Sequence, residues 1–231
     1  MLLRHLWRIA LLFNTLLGVH VVAHAQGGVP GYPESFMSFD SREVAMLPAY
    51  CKHSEYFRQK VPGGSNPDEV AKWRSIMGMS FVHIHHYCFA MMKTNRAMLL
   101  ARTPYYREYY LRDSLGEFDY VIERLPPEFV LLPEILTKKG ENLIRLGRGP
   151  LAILELERAI ELNATYWPPY AQLSDYYKSI GEIEKARQAL ESGLESSPNV
   201  PALKRRLSEL GPQPPHKGKP AGHTSLSRST E

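Results

Sequence analysis

The chain has 231 residues but only two cysteines, Cys51 and Cys88. That count excludes a disulfide-dense scaffold and a four-cysteine zinc site. Beyond residue 25 no apolar run approaches the length of about 20 residues that a membrane helix needs. The signatures of common enzymes are missing as well: there is no GxSxG elbow, no P-loop, no GxGxxG turn and no DxDxDG calcium loop. Carboxylates fall at surface-like spacing on amphipathic stretches, and no pair stands out for acid and base work. The body also lacks net charge. The chain carries 28 Lys and Arg against 24 Asp and Glu, a formal +4. Two of those charges are Arg4 and Arg8, and two more are the excess of Lys217, Lys219 and Arg228 over Glu231. Residues 26–210 therefore balance, with 23 bases and 23 acids. A basic nucleic-acid-binding domain is excluded on that ground.

What is present begins with an export pattern. Met1–Arg8 forms a short basic region, Ile9–Val22 is mostly apolar, and Ala23-His24-Ala25 supplies small residues at −3 and −1 before Gln26. No cysteine follows that could carry a lipid. A signal peptide over 1–25 is expected, with a periplasmic or secreted mature chain and no membrane span after cleavage. Residues 26–67 read as a Gly/Pro-rich lead-in with one short helix around Leu47–Phe57. Asn66-Pro67-Asp68-Glu69 is a helix start, and Thr103-Pro104 opens a second helix that Pro126-Pro127 stops. The tail 211–231, with four prolines and almost no large apolar residue, is expected to be disordered.

The strongest signal is a repeat of 34 residues, 133–166 over 167–200, with no gap. Gly140 aligns with Ser174, Leu143 with Tyr177, Gly147 with Gly181 and Ala152 with Ala186. Leu156 then aligns with Leu190, Ala159 with Gly193, Ile160 with Leu194 and Ala164 with Pro198. Each unit is two helical segments split at Gly147 or Gly181, with small residues where the helices approach. The pattern resembles the tetratricopeptide repeat family, whose units pair two antiparallel helices in this order. The resemblance covers 68 of 231 residues. It implies an all-α helical-hairpin solenoid, in which 68–132 serves as a degenerate, enlarged helical pair and 201–210 as a capping helix. Three such units are needed for stability, so the 68–132 segment must supply the third stacking surface.

The resemblance also implies a protein or peptide partner, held on a face formed by the first helix of each unit, with no enzyme activity and no cofactor. That face would carry Glu134, Thr137, Glu141, Ile144 and Arg145 in one unit and Pro168, Ala171, Asp175, Lys178 and Ser179 in the next. Glu141 and Asp175 stand where some family members place asparagines that hold a carboxylate. Like charge there disfavours a carboxylate ligand and favours a mixed or basic peptide.

Residues 76–93 (IMGMSFVHIHHYCFAMMK) pose the alternative, a copper or zinc site built on His83, His85, His86 and Cys88. On a regular helix His83 and His86 share one face and His85 and Cys88 the nearly opposite one, so Cys51 or His53 would have to complete a centre. The competing expectation is a packed core with methionine filling gaps and Cys51 disulfide-bonded to Cys88. Tyr105/Tyr109 and Tyr106/Tyr110 form i,i+4 pairs, which reads as packing on a solenoid helix.

Overall fold

A computed structural model describes Phe39 and residues 41–212; the expected export signal, the rest of the first 40 residues and the chain beyond Pro212 lie outside the described residues. Three short helices come first: α1 (Ser41–Ala45), α2 (Ala49–His53) and α3 (Phe57–Lys60). Where the sequence predicts one helix around Leu47–Phe57, the chain breaks it at Ser54, which is extended and turns its hydroxyl onto the Cys51 carbonyl at 2.8 Å. Tyr56 then takes φ +64°, a left-handed conformation that a regular helix does not allow.

Helix α4 (Pro67–Met77) starts on a full cap. The Asn66 side chain accepts from the Glu69 N–H at 3.1 Å, Pro67 occupies the first turn, and Asp68 and Glu69 face the helix dipole. Gly78 at φ +60° ends it. A 3-10 helix (Gly78–His83), α5 (Ile84–Asn95) and a π-helical turn (Arg96–Leu100) follow without interruption. Helix α6 (Pro104–Ile122) opens on Thr103, whose hydroxyl accepts from the Tyr106 N–H at 3.3 Å, and runs antiparallel beside α5.

Two further hairpins complete the array: α7 (Leu132–Arg145) with α8 (Gly149–Leu162), and α9 (Pro168–Ser179) with α10 (Ile183–Ser196). Their turns are built alike. After α7, Gly147 at φ +71° donates to the Ile144 carbonyl and Arg148 to the Leu143 carbonyl; after α9, Gly181 at φ +81° donates to Lys178 and Glu182 to Tyr177. Both are Schellman ends, which need the left-handed residue that glycine supplies. The small residues sit at the helix crossings. A Cβ on Gly140 would lie 2.9 Å from Leu156 Cγ, and Ala152, Ala159 and Ala186 are fully buried. Helix α11 (Pro201–Glu209) covers the end, with Leu203 buried against Tyr170 and Leu190.

A single apolar core runs from Val44 on α1 through Tyr87, Phe118 and Ile135 to Ala159 on α8, so the N-terminal helices and the first repeat share one interior. Two features lock that junction. Cys51 on α2 is disulfide-bonded to Cys88 on α5, both fully buried, with Cα atoms 5.6 Å apart. Arg96 in the π turn grips Glu43 of α1 through Nε and a terminal nitrogen, at 2.6 and 2.9 Å, with both side chains buried. Buried Asn142 of α7 donates to Thr94 of α5 at 2.6 Å and to Ser114 of α6 at 2.9 Å, which fixes three helices at one point. The tyrosines of α6 divide rather than pair at i,i+4. Tyr110 is buried and Tyr106 packs beside it, while Tyr105 and Tyr109 are exposed, and rings touch between sequence neighbours instead.

Candidate partner-binding groove

The first helices of the hairpins, α5, α7 and α9, present one face, and α1 walls it at the N-terminal end. There the chain forms a cavity of about 240 Å³. Met46 and Leu47 after α1, Met91, Thr94, Asn95 and Met98 along α5 and the π turn, and Lys138, Glu141 and Arg145 of α7 line it, with Phe118 beneath. Met46 and Met98 are about half exposed, which gives the cavity a soft apolar rim. Around Glu141 the charges on α7 compensate one another. Glu141 takes Lys138 at 3.0 Å and Arg145 at 3.5 Å, and one of its oxygens accepts from Gln172 of α9 at 3.3 Å. Farther along, exposed Asp175 pairs with Arg206 of α11 at 3.1 Å.

The sequence-derived face residues separate into two groups. Glu134, Glu141 and Arg145 of α7 and Asp175 and Lys178 of α9 are at least partly accessible. Thr137 and Ala171 are buried, and Thr137 turns its hydroxyl back onto the Pro133 carbonyl at 2.7 Å, so neither offers a contact to a partner. Lys138 and Gln172 belong to the face although the family pattern did not single them out; they are 34 residues apart, which is the signal that finds them. Met46, Met91, Asn95 and Met98 come from outside the clear repeats, and no period marks them.

At the N-terminal end of α7, Glu134 meets Tyr87. The hydroxyl of fully buried Tyr87 donates to Glu134 Oε1 at 2.6 Å. Burial pushes the Tyr87 phenol well up, and neighbouring Tyr50 and Glu134 push it further. Burial raises Tyr50 and Tyr166 too, with the Glu134 charge as the next cause for each.

The His/Cys/Met segment does not form a metal centre. Cys88 is consumed in the disulfide, and the described residues contain no group of three or more His, Cys, Asp or Glu able to hold an ion. His85 Nδ1 meets the Val82 carbonyl at 2.9 Å, and burial pulls its pKa down to about 4. His86 stacks on Tyr120 with ring centroids 3.6 Å apart and meets Glu117 at 2.6 Å. Burial alone would raise Glu117, but hydrogen bonds from His86 and Lys93 outweigh it and hold the carboxyl below its ordinary value. His83 and His86 both turn to the Tyr120 ring, with centroids 6.3 and 3.6 Å from it, while His85 packs against Tyr56 at 5.2 Å and Cys88 reaches α2.

No family model and no curated protein matches the chain. Among solved structures, the crystal structure of TTC0263, a thermophilic TPR protein of Thermus thermophilus, is similar over 73% of this chain and 84% of that one, with a TM-score of 0.51 and 17% identity. The fold is a tetratricopeptide-type solenoid. A second similar structure is the first TPR of Spaghetti (RPAP3) bound to HSP90 peptide SRMEEVD, with a TM-score of 0.39 and 17% identity over 52% of this chain and 89% of that one. In this solenoid the cavity and the α7 charge row lie on the first helices of successive hairpins. No helix among the described residues is long and apolar enough to cross a membrane.

Proposed function

We propose that the chain is an exported, noncatalytic module that holds a partner polypeptide along the groove of α5, α7 and α9. The observation that carries this is the Met46/Met91/Met98 cavity, open to solvent and continuous with a row of polar groups on α7 and α9. An apolar pocket beside ordered charges fits a side-chain anchor on a peptide better than a reacting small molecule. Around Glu141 and Asp175 the charge row is already balanced internally, so there it orients a partner more than it attracts one. Export is supported by the Met1–Ala25 pattern and by the buried disulfide, which forms in an oxidising compartment.

A photo-crosslinking residue placed at Met98 should give one discrete protein adduct in the native envelope fraction. The same residue at Leu154, exposed on α8, should not. Adducts that are absent from Met98, or identical from both positions, would refute the groove. Fractionation of cells expressing the full chain tests export: a cytosolic protein of uncleaved mass would refute it.

A further inference from the structure

We propose that Glu134 and the tyrosines Tyr50 and Tyr87 form a receptor for one cationic side chain, a lysine or an arginine, of the polypeptide held in the groove. The inference rests on the groove reading and names the chemistry of its partner.

The charge balance on the face points to it. Glu141 has Lys138 and Arg145, and Asp175 has Arg206, whereas Glu134 has no ion pair among the described residues. Its carboxylate is partly accessible and is held in place by a hydrogen bond from a phenol that is itself fully buried. That leaves a fixed, uncompensated negative charge one helical turn from Lys138, which itself lines the cavity.

A second observation is independent of the charge. Tyr50 is 7% exposed, yet its hydroxyl has no hydrogen-bond partner among the described residues. A buried phenol without a partner is costly in a folded chain and calls for a function. Its neighbour Cys51 is bonded to Cys88, beside Tyr87, with Cα atoms 5.6 Å apart, which sets Tyr50 close to the Tyr87–Glu134 hydrogen bond. An ammonium or guanidinium entering beside Glu134 would find a carboxylate, phenol oxygens able to accept its N–H groups, and aromatic faces that favour a cation. The disulfide gives the arrangement its rigidity, because Cys51 follows Tyr50 and Cys88 follows Tyr87. The sign is opposite to that of a carboxylate-binding groove.

The test uses the full chain and two pools of short, fluorescein-labelled degenerate peptides. The pools are identical except that one carries lysine where the other carries N-acetyl-lysine. Fluorescence anisotropy should show the lysine pool binding about tenfold more tightly. Glu134→Gln keeps an oxygen for Tyr87 to donate to and removes the charge, so the difference should shrink to within about twofold. Glu184→Gln, which removes an exposed acid on α10 outside the groove, should retain it. Tyr50→Phe should lower affinity for the lysine pool while leaving the acetyl-lysine pool unchanged. Equal binding of both pools, or a full lysine preference surviving in Glu134→Gln, would overturn the receptor and leave the groove standing. Failure of both pools to bind would overturn the receptor and the groove together.

Discussion

Replacing both Cys51 and Cys88 by alanine should separate the stability of the N-terminal helices from that of the repeats. The bond closes a loop between residues 37 apart in sequence. On the chain-entropy argument its removal frees the unfolded state by about 4 kcal/mol at 25 °C. That is a large fraction of the roughly 5–15 kcal/mol typical of a whole domain. The loss should not be shared evenly. Helix α2 is the element that the bond holds directly, and α9, α10 and α11 have a core of their own around Tyr170, Leu190 and Leu203. Two tryptophans report on the two ends: Trp73 on α4 packs against Tyr50 with ring centroids 5.6 Å apart, and Trp167 caps α9. In urea, single-tryptophan variants of the oxidised protein should unfold together. In the double alanine variant the Trp73 transition should move down by about 2 M, taking a slope of about 2 kcal/mol per molar. The Trp167 transition should move much less. Coincident transitions with a midpoint change worth under about 1 kcal/mol would refute the idea that the crosslink holds the N-terminal helices on the array.

Other expectations are independent of the crosslink. Asn142→Ala removes the donor shared by Thr94 and Ser114 and should cost about 2–3 kcal/mol, read from denaturant midpoints, since buried hydroxyls lose their partner. Gly193→Ala should destabilise by about 1–3 kcal/mol despite alanine's better helix propensity, because the new Cβ would stand 2.8 Å from Leu203 Cδ1 and 2.9 Å from Tyr170 Cγ; a calorimetric midpoint that rises would contradict this. His85 makes stability depend on pH. Its folded pKa of about 4 lies below the ordinary 6.5, so folding favours the neutral ring. Stability from this group is complete above pH 6.5 and falls as pH drops towards 4. Glu117, held below its ordinary value, extends the loss at still lower pH. His85→Gln should flatten urea midpoints across the upper window and leave the lower one in place.

The repeat was legible because its physical requirements are local. Gly147 and Gly181 must be left-handed at Schellman ends, Gly140, Ala152 and Ala186 must admit a neighbouring helix, and Asn66 and Thr103 cap the helices that follow them. The groove was harder to read. Its N-terminal wall comes from Met46 and Leu47, which belong to no repeat and are brought in by tertiary packing. The His/Cys/Met segment reads as a ligand set because its residues are close in sequence, whereas the fold commits Cys88 to Cys51, His85 to the Val82 carbonyl and His86 to Glu117. Thr137 has the right position for the open face but the wrong chemistry: a threonine hydroxyl on a helix can satisfy itself on the carbonyl four residues back. The tyrosines around Glu134 gave no local sign at all, being far apart in the chain.

That separation has its own meaning. Tyr50, Tyr87 and Glu134 belong to three different segments, α2, α5 and α7. No contiguous fragment shorter than residues 50–134 contains them all. A chain with both clear repeats intact but the first helices undocked would lose Tyr50 together with the Met46 and Leu47 wall of the cavity. The groove is thus a joint property of the repeats and of the short helices that precede them.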